Sequence, residues 1–157
     1  MSKEKISFRP IEVNDCKTIS NLLAELAAMT GLEGKVTSTP EDLKAAAFSP
    51  HPLIHGVIAE MGEEAVGISL FYPQYSSWRG EAGIHVLDLF VKKQLHGCGL
   101  GRGLIKYTAK MATDYWGANF ITMDVDVFNE SAQAFYQKIG FEVNSANKNM
   151  IAYTTNF

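Results

Sequence analysis

The side chains and backbone groups best placed to do chemistry fall in two runs of this sequence. The first is His96-Gly-Cys-Gly-Leu-Gly-Arg-Gly103, with glycine at every second position from 97 to 103. A glycine turn that opens a helix exposes successive backbone N–H groups beside the helix's positive end, which makes an anion site. Glycine supplies left-handed backbone angles there and lets a ligand come close. A P-loop needs Gly-Lys followed by Ser or Thr, and the sequence has none. A dinucleotide GxGxxG fails too. Counted from Gly97, Gly99 or Gly101, its last glycine would fall on Arg102, Leu104 or Lys106. The plainer alternative is a flexible turn with a tight helix start.

The second run is Asn129-Glu-Ser-Ala-Gln-Ala-Phe-Tyr-Gln-Lys-Ile-Gly-Phe141. Asn129 suits a helix cap. Tyr136, between Phe135 and Ile139, reads by itself as a core tyrosine at a helix–sheet junction. Asp88 stands among apolar residues, where a carboxylate is costly unless it has a partner. It either orients a water or an amine, or bonds to a neighbouring strand or subunit. Cys98 at a helix start invites a nucleophile reading, but its backbone N–H matters more in a turn of this kind. His51, His55, His85 and His96 lack metal-ligand spacing, so no metal is expected. His85 reads either as a base or as a satisfied strand histidine. No Ser-His-Asp or Cys-His arrangement is evident.

These residues need elements to hold them. Residues 6–11 predict a short strand limited by Pro10. Asn14 or Asp15 can cap a helix in which Ile19, Leu22, Leu23 and Leu26 recur at helical spacing. Thr39-Pro40-Glu41-Asp42 predicts a second helix start, with a threonine cap, proline at the first position and acids in the first turn. Residues 52–61 and 65–72 read as a hairpin closed at Gly62-Glu63-Glu64. Residues 74–83 read as a polar and aromatic loop, and 84–91 as the central strand. A helix from the glycine turn to about Trp116 follows, then a strand over 120–127 and a helix over 129–139. Two last strands are expected at 141–144 and 150–154. The order predicts a mixed sheet with helices on both faces.

Composition agrees with one domain over residues 1–157. The chain is 46% hydrophobic and 20% charged, which is ordinary for a globular protein and argues against disorder. A net charge of −3 sets aside a basic nucleic-acid binder. No apolar run is long enough to span a membrane. The polar stretch Met1 to Lys5 predicts no signal peptide. Two distant cysteines, Cys16 and Cys98, predict neither disulfides nor a zinc site. The expectation is a cytoplasmic protein with no nucleic-acid and no membrane partner.

Residues 96–101 resemble the [QR]-x-x-G-x-[GA] turn of the GCN5-related N-acetyltransferases, with His96 in place of Arg or Gln. Residues 129–141 resemble that family's late motif, N-x(5)-[FY]-Y-x-x-x-G-[FA]. Further segments are similar to the diamine (spermidine/spermine) acetyltransferase subfamily. They are Phe8-Arg-Pro-Ile, Asp15-Cys16, Leu22-Leu-Ala-Glu-Leu26, His51-Pro52, Tyr75-Ser-Ser-Trp78 and Leu87-Asp-Leu-Phe-Val91.

The resemblance implies the family's mixed α/β fold, with a splayed central strand, a homodimer and an amine substrate. It implies acetyl-CoA as co-substrate, with its pantetheine arm along Leu89, Phe90 and Val91. The pyrophosphate would lie on Gly97, Cys98, Gly99, Leu100, Gly101 and Arg102, with Asn129, Ser131 and Ala132 nearby. Tyr136 would protonate the leaving thiolate, as a phenol that is neutral at pH 7 can. Asp88 would belong to the base path that an alkylammonium group requires. A backbone N–H of the splayed strand would hold the oxyanion.

Substrate contacts are expected at Thr30, Leu87, Tyr75, Trp78 and Asp124. The diamine subfamily carries acids where this chain has Thr30, Leu87 and Lys148, which disfavours a polycation. Asp88, Asp124, Asp126 and Glu33 remain for a smaller amine. The expected function is acetyl transfer to a primary amine of a small molecule, diamine-like or amino-acid-like, by direct attack in a ternary complex. The alternatives are a non-catalytic acyl-CoA-binding module and an enzyme acting on a protein or peptide amine.

Overall fold

The structure, a computed structural model, describes residues 4–144, 146, 147, 150 and 152–156. They form two compact units, Met1–Asp124 and Val125–Phe157. The first holds a five-stranded sheet in the order β1-β2-β3-β4-β5. Its strands are β1 (Ile6–Pro10), β2 (His55–Met61), β3 (Glu64–Ser76), β4 (Glu81–Val91) and β5 (Phe120–Met123). Each of β1, β2 and β3 runs antiparallel to the next, and β5 pairs parallel to β4. Helices α1 (Cys16–Met29) and α2 (Pro40–Ala47) precede β2, and α3 (Leu100–Trp116) forms the crossover to β5.

Strand alternation divides the apolar residues between two faces. Val57, Ala59, Phe71, Ile84 and Val86 pack with Leu100, Leu104 and Ala112 of α3. Ile58, Ile68, Leu70 and Phe90 pack with Cys16, Ile19, Leu22 and Leu23 of α1 and Leu43 of α2. Helices therefore cover both faces, as the element order predicts. On the α3 side, Thr108 and Ser69 are fully buried and satisfy one another, Thr108 Oγ1 donating to Ser69 Oγ at 3.1 Å.

The predicted helix starts hold, with one change of role. Thr39 accepts from the Asp42 N–H while the Asp42 carboxylate accepts from the Thr39 N–H, a reciprocal cap. Asp15 precedes α1 but does not cap it with its side chain. Its carboxylate accepts from Arg9 Nη1 and Nη2 at 2.8 and 2.9 Å, and from the Glu12 N–H. Arg9 also donates to Glu60, tying β1 to β2 and to the start of α1.

Three strand expectations are corrected. Residues 74–83 are not a loop: β3 and β4 stay paired from Tyr75↔Ala82 to Ser76↔Glu81, and only 77–80 turn. On β3 no residue from Gln74 to Ser76 is buried, so the apolar signal of a strand is weak there; Tyr75 and Trp78 are exposed. The strand expected over 120–127 ends at Met123, where polar Asp124 follows. Residues 141–144 form no strand, their alternation being too short to define a buried face. Around 150–154 the described residues form no strand, and Ile151 lies outside them.

The second unit carries α4 (Glu130–Lys138), close to the span predicted. Asn129 Oδ1 caps it, accepting from the Ala132 N–H and the Ser131 hydroxyl, both at 3.2 Å.

Arg9 hydrogen bonding, the largest effect, holds the Asp15 carboxyl below the usual carboxylate range. A depressed folded pKa contributes stability above the unfolded pKa of about 4, and that stability is lost as pH falls through the folded value. Asp15→Asn should therefore lower stability at pH 7 and flatten its decline below about pH 4. Urea unfolding at several pH values checks this; an unchanged acid slope would contradict the assignment.

Candidate active site

The site in the first unit is built on an irregularity in β4. Phe71 pairs with Val86, but Leu70 pairs with Asp88, so Leu87 is one residue more than β3 can match. Such a bulge leaves a residue unpaired and bends its strand. The other side of β4 changes at the same point. β5 pairs with residues 83–86 only, through Phe120–Met123. Among the described residues, no strand pairs with residues 87–91 on that side. Their outward N–H and C=O groups form a short open edge, the splayed strand that the resemblance implies.

The bulge also decides where side chains point. Ile84 and Val86 face α3 before it, and Leu89 and Val91 pack on that same side after it. Phe90 and, by alternation, Asp88 face α1 and α2. Asp88 is partly buried, and no hydrogen bond to its side chain occurs among the described residues. Burial pushes its carboxyl pKa upward. Leu87 is 47% exposed.

The glycine turn follows directly. His96 Nε2 donates to the Val91 carbonyl at 2.8 Å, pinning the turn to the end of β4. This gives the residue that departs from the family pattern a structural role of its own. Gly97 and Gly99 have φ of 82° and 78°, and a Cβ on either would stand in open space. Gly99 precedes α3 with no side-chain cap, so the N–H groups of Leu100, Gly101 and Arg102 begin the helix without intrahelical partners. Leu100 itself is buried and anchors that end, while Arg102 and Cys98 are exposed. A groove of about 390 Å³ runs beside this region, lined by Glu25, Ala28, Met29, Phe90, Lys93 and Gln94.

The expected substrate residues divide. Thr30 ends α1, its hydroxyl donating to the Leu26 carbonyl at 3.0 Å. Tyr75 and Trp78 lie at the exposed end of the β3–β4 hairpin, 68% and 99% exposed. Asp124 follows β5 and faces His85, with Oδ2 3.6 Å from Nε2. Lys148 lies outside the described residues. One grouping was not evident in the sequence. His85 Nδ1 lies 2.7 Å from Thr122 Oγ1, so a hydroxyl, an imidazole and a carboxylate stand in a row. His85 is far from Thr122 and Asp124 in the chain, and strand register brings it to them.

In the second unit, Tyr136 lies on α4 between the rings of Phe135 and Phe141, at 5.3 and 5.7 Å between centroids. Burial pushes its phenol pKa upward, so it stays protonated through the neutral range. Asn129, Ser131 and Ala132 are together at its N-terminus as the cap described above. Among the described residues no group of three or more His, Cys, Asp or Glu could hold a metal. No described helix is long and apolar enough to cross a membrane.

An open central strand ending at an uncapped, glycine-lined helix start suits an extended anionic ligand held along backbone groups. The chain belongs to the acetyltransferase (GNAT) family, whose model matches residues 21–141. It is 32% identical over 143 residues to thialysine N-epsilon-acetyltransferase of Bos taurus, covering 86% of this chain and 83% of the relative. It is 33% identical over 121 residues to the protein of that name in Caenorhabditis elegans, covering 77% and 73%. It is 27% identical over 146 residues to spermidine/spermine N(1)-acetyltransferase-like protein 1 of Homo sapiens, covering 88% of this chain and 21% of that one.

The fold is similar to that of integron cassette protein VCH_CASS6 of V. cholerae. The TM-score is 0.77 at 18% identity, with 94% and 92% of the two chains covered. The chain is an N-acetyltransferase, and GNAT acetyltransferases use acetyl-CoA as co-substrate.

The residues of the first unit fit that co-substrate. The N–H groups at the α3 start suit its phosphates, and the open edge of β4 suits an amide-bearing chain. Gly99→Val would add a branched side chain at φ 78°, where L residues are strained, and fill the open space above the turn. We expect KM for acetyl-CoA to rise about tenfold or more, the loss of an anion-binding turn. Thermal unfolding of the same variant should show a smaller relative change. Unaltered KM would remove the turn from the site.

Proposed function

We propose that this protein transfers the acetyl group of acetyl-CoA to the primary amine of an amino-acid-like small molecule, with thialysine or lysine as the model acceptor. The observation that carries this is the coincidence in β4. The extra residue Leu87, the end of β5 pairing and the glycine turn all fall within residues 86–99. Acetyl-CoA would bind with its pantetheine arm along residues 89–91 and its pyrophosphate on residues 97–102. Asn129, Ser131 and Ala132 would contribute to the same ligand.

The amine choice rests on charge. A polyamine presents several ammonium groups and needs spaced carboxylates. Thr30 and Leu87 offer none, while Asp88 and Asp124 suffice for one ammonium. Tyr75 and Trp78 belong to the acceptor side of this reading. Curated relatives about 30% identical over most of the chain are named for a lysine analogue.

In the reaction the amine nitrogen attacks the thioester carbon, a C–N bond forms and the C–S bond breaks. The ammonium loses two protons in all: one ends on the CoA sulfur and the other reaches solvent. Tyr136 supplies the proton to sulfur, and Asp88 belongs to the path by which the amine is deprotonated. The burial that keeps the Tyr136 phenol protonated suits it to this task. The whole chain acts as one acetyltransferase domain in this reading, as a cytoplasmic homodimer.

CoA release from acetyl-CoA, read with a thiol reagent, tests the proposal on thialysine, lysine, ornithine, putrescine, spermidine and a lysine peptide. We expect kcat/KM for thialysine to exceed that for spermidine by about tenfold or more, as one mispaired charge can account for. Preference for spermidine or the peptide would overturn the acceptor assignment. Acetyl-CoA binding without turnover on any amine would favour a sensing module. Tyr136→Phe should lower kcat about 100-fold with little change in KM, the usual scale of a lost general acid.

A further inference from the structure

Strand register places three groups in a row across β4 and β5. His85 pairs with Thr122 on β5 and with Tyr72 on β3. The ring's Nδ1 is 2.7 Å from Thr122 Oγ1, and its Nε2 is 3.6 Å from Asp124 Oδ2. The Tyr72 ring covers it at 5.3 Å between centroids. Only 16% of the His85 side chain is exposed, whereas Asp124 is 79% exposed and Thr122 also reaches the surface. The next pair, Val86 and Met123, is the last before β4 and β5 part. The Thr122 hydroxyl therefore reaches the surface one step from the open edge, with the imidazole behind it.

Gln74 supports one end of this row. Its Nε2 donates to the Ile84 carbonyl at 2.9 Å and to Thr122 Oγ1 at 2.6 Å. A carbonyl can only accept, so the group on Ile84 must be the amide nitrogen, and both its hydrogens are then used. Thr122 oxygen accepts one of them, and its own hydrogen is available to His85 Nδ1. In that arrangement the neutral ring carries its proton on Nε2, toward Asp124. Uptake of a second proton at Nδ1 puts the positive charge beside that carboxylate, the arrangement by which a carboxylate stabilises an imidazolium.

We propose that Thr122, His85 and Asp124 form a proton relay that deprotonates the acceptor ammonium, with Thr122 touching the substrate and His85 the base behind it. The proposal rests on the acetyl-transfer reading above. An N–H bond of the ammonium breaks and its proton passes to Thr122 Oγ1, while the Thr122 hydrogen passes to His85 Nδ1. The lone pair so freed attacks the thioester carbon. The Thr122 hydroxyl is intact after this exchange; His85 loses its Nε2 proton to solvent past Asp124, and proton exchange with solvent returns the ring to its starting tautomer. Thr122 forms no bond to the acetyl group. His85 and Asp124 act through it.

The test compares an ordinary amine with one already largely neutral at the assay pH. With thialysine, His85→Gln and Thr122→Val should each lose about 100-fold in kcat/KM, the usual scale of general-base catalysis. With 5,5-difluorolysine, whose distal amine is far less basic, the loss should shrink to under about tenfold. Thr122→Ser should recover most of what Thr122→Val loses. Equal losses on both acceptors, or variants as active as wild type, would overturn the relay. So would an acetylated Thr122 found by mass spectrometry after incubation with acetyl-CoA alone.

A second measurement needs no turnover. Histidine side-chain nitrogen NMR should show neutral His85 with its proton on Nε2, and Thr122→Val should perturb its Nδ1 resonance. A proton on Nδ1 overturns the relay. Failure of wild type on thialysine with the expected tautomer intact overturns the acceptor assignment instead.

Discussion

One surplus residue in β4 governs the first unit. Leu87 has no counterpart on β3, so the strand changes phase there. Without it, Asp88 would lie on the α3 face with Val86, among residues that exclude water. With it, Asp88 shares the α1 and α2 face with Phe90, while Leu89 and Val91 return to the α3 face. The bulge thus places a carboxyl at the edge of an apolar core without burying it fully, and the upward push on its pKa follows. The bend also falls where β5 stops pairing. A strand that turns away from its neighbour frees a row of backbone groups that an uninterrupted sheet would have consumed.

The rest of the unit makes that opening tolerable. An edge of unpaired N–H and C=O groups is a liability unless its surroundings are rigid and its extent short. Here it is bounded by the β4–β5 pairing at one end and by His96 on the Val91 carbonyl at the other. Leu100 and Leu104, buried against the sheet, fix the first turns of α3. Gly67 on β3 allows this closeness, since a Cβ there would stand 2.9 Å from the Phe90 carbonyl and 3.0 Å from Leu104. The helix start is aimed by apolar packing behind it, which leaves its N–H groups free of structural duty.

Much of this was legible in the sequence because it is local. The glycine spacing, the Asn129 cap and the Thr39 cap are short-range patterns, and the structure holds all three. The helical repeat of Ile19, Leu22 and Leu23 identified a buried face correctly. What was missed depends on register. Nothing in the sequence near His85 points to Thr122, 37 residues on, because their contact follows from parallel pairing set by α3. The β3–β4 extension was missed for the complementary reason. Alternation reveals a strand only when one face is buried, and on β3 no residue from Gln74 to Ser76 is buried. The signal for the bulge was present in Val86-Leu87-Asp88-Leu89, where two apolar residues precede a carboxylate, but such a run also fits an ordinary buried strand.

Leu87 and His85 are linked by that same register. An acid at 87 would place a charge on the bulge itself, where the backbone already bends and the side chain reaches solvent. Leucine there offers an apolar contact instead, suited to the methylene stem of an amino-acid side chain. Proton chemistry must then be supplied from another position, and the available neighbours are limited. Val86 faces the α3 core, and Asp88, a further member of the deprotonation path, lies beyond the bulge on the segment that β5 does not pair. His85 is the nearest residue on the α1 and α2 side that is paired on both flanks, with Tyr72 on one strand and Thr122 on the other. A titratable group held in a continuous ladder keeps its geometry while its charge changes, which a residue on the bent, unpaired segment could not do as well. On this reading the opened half of β4 binds, and the paired half carries the proton.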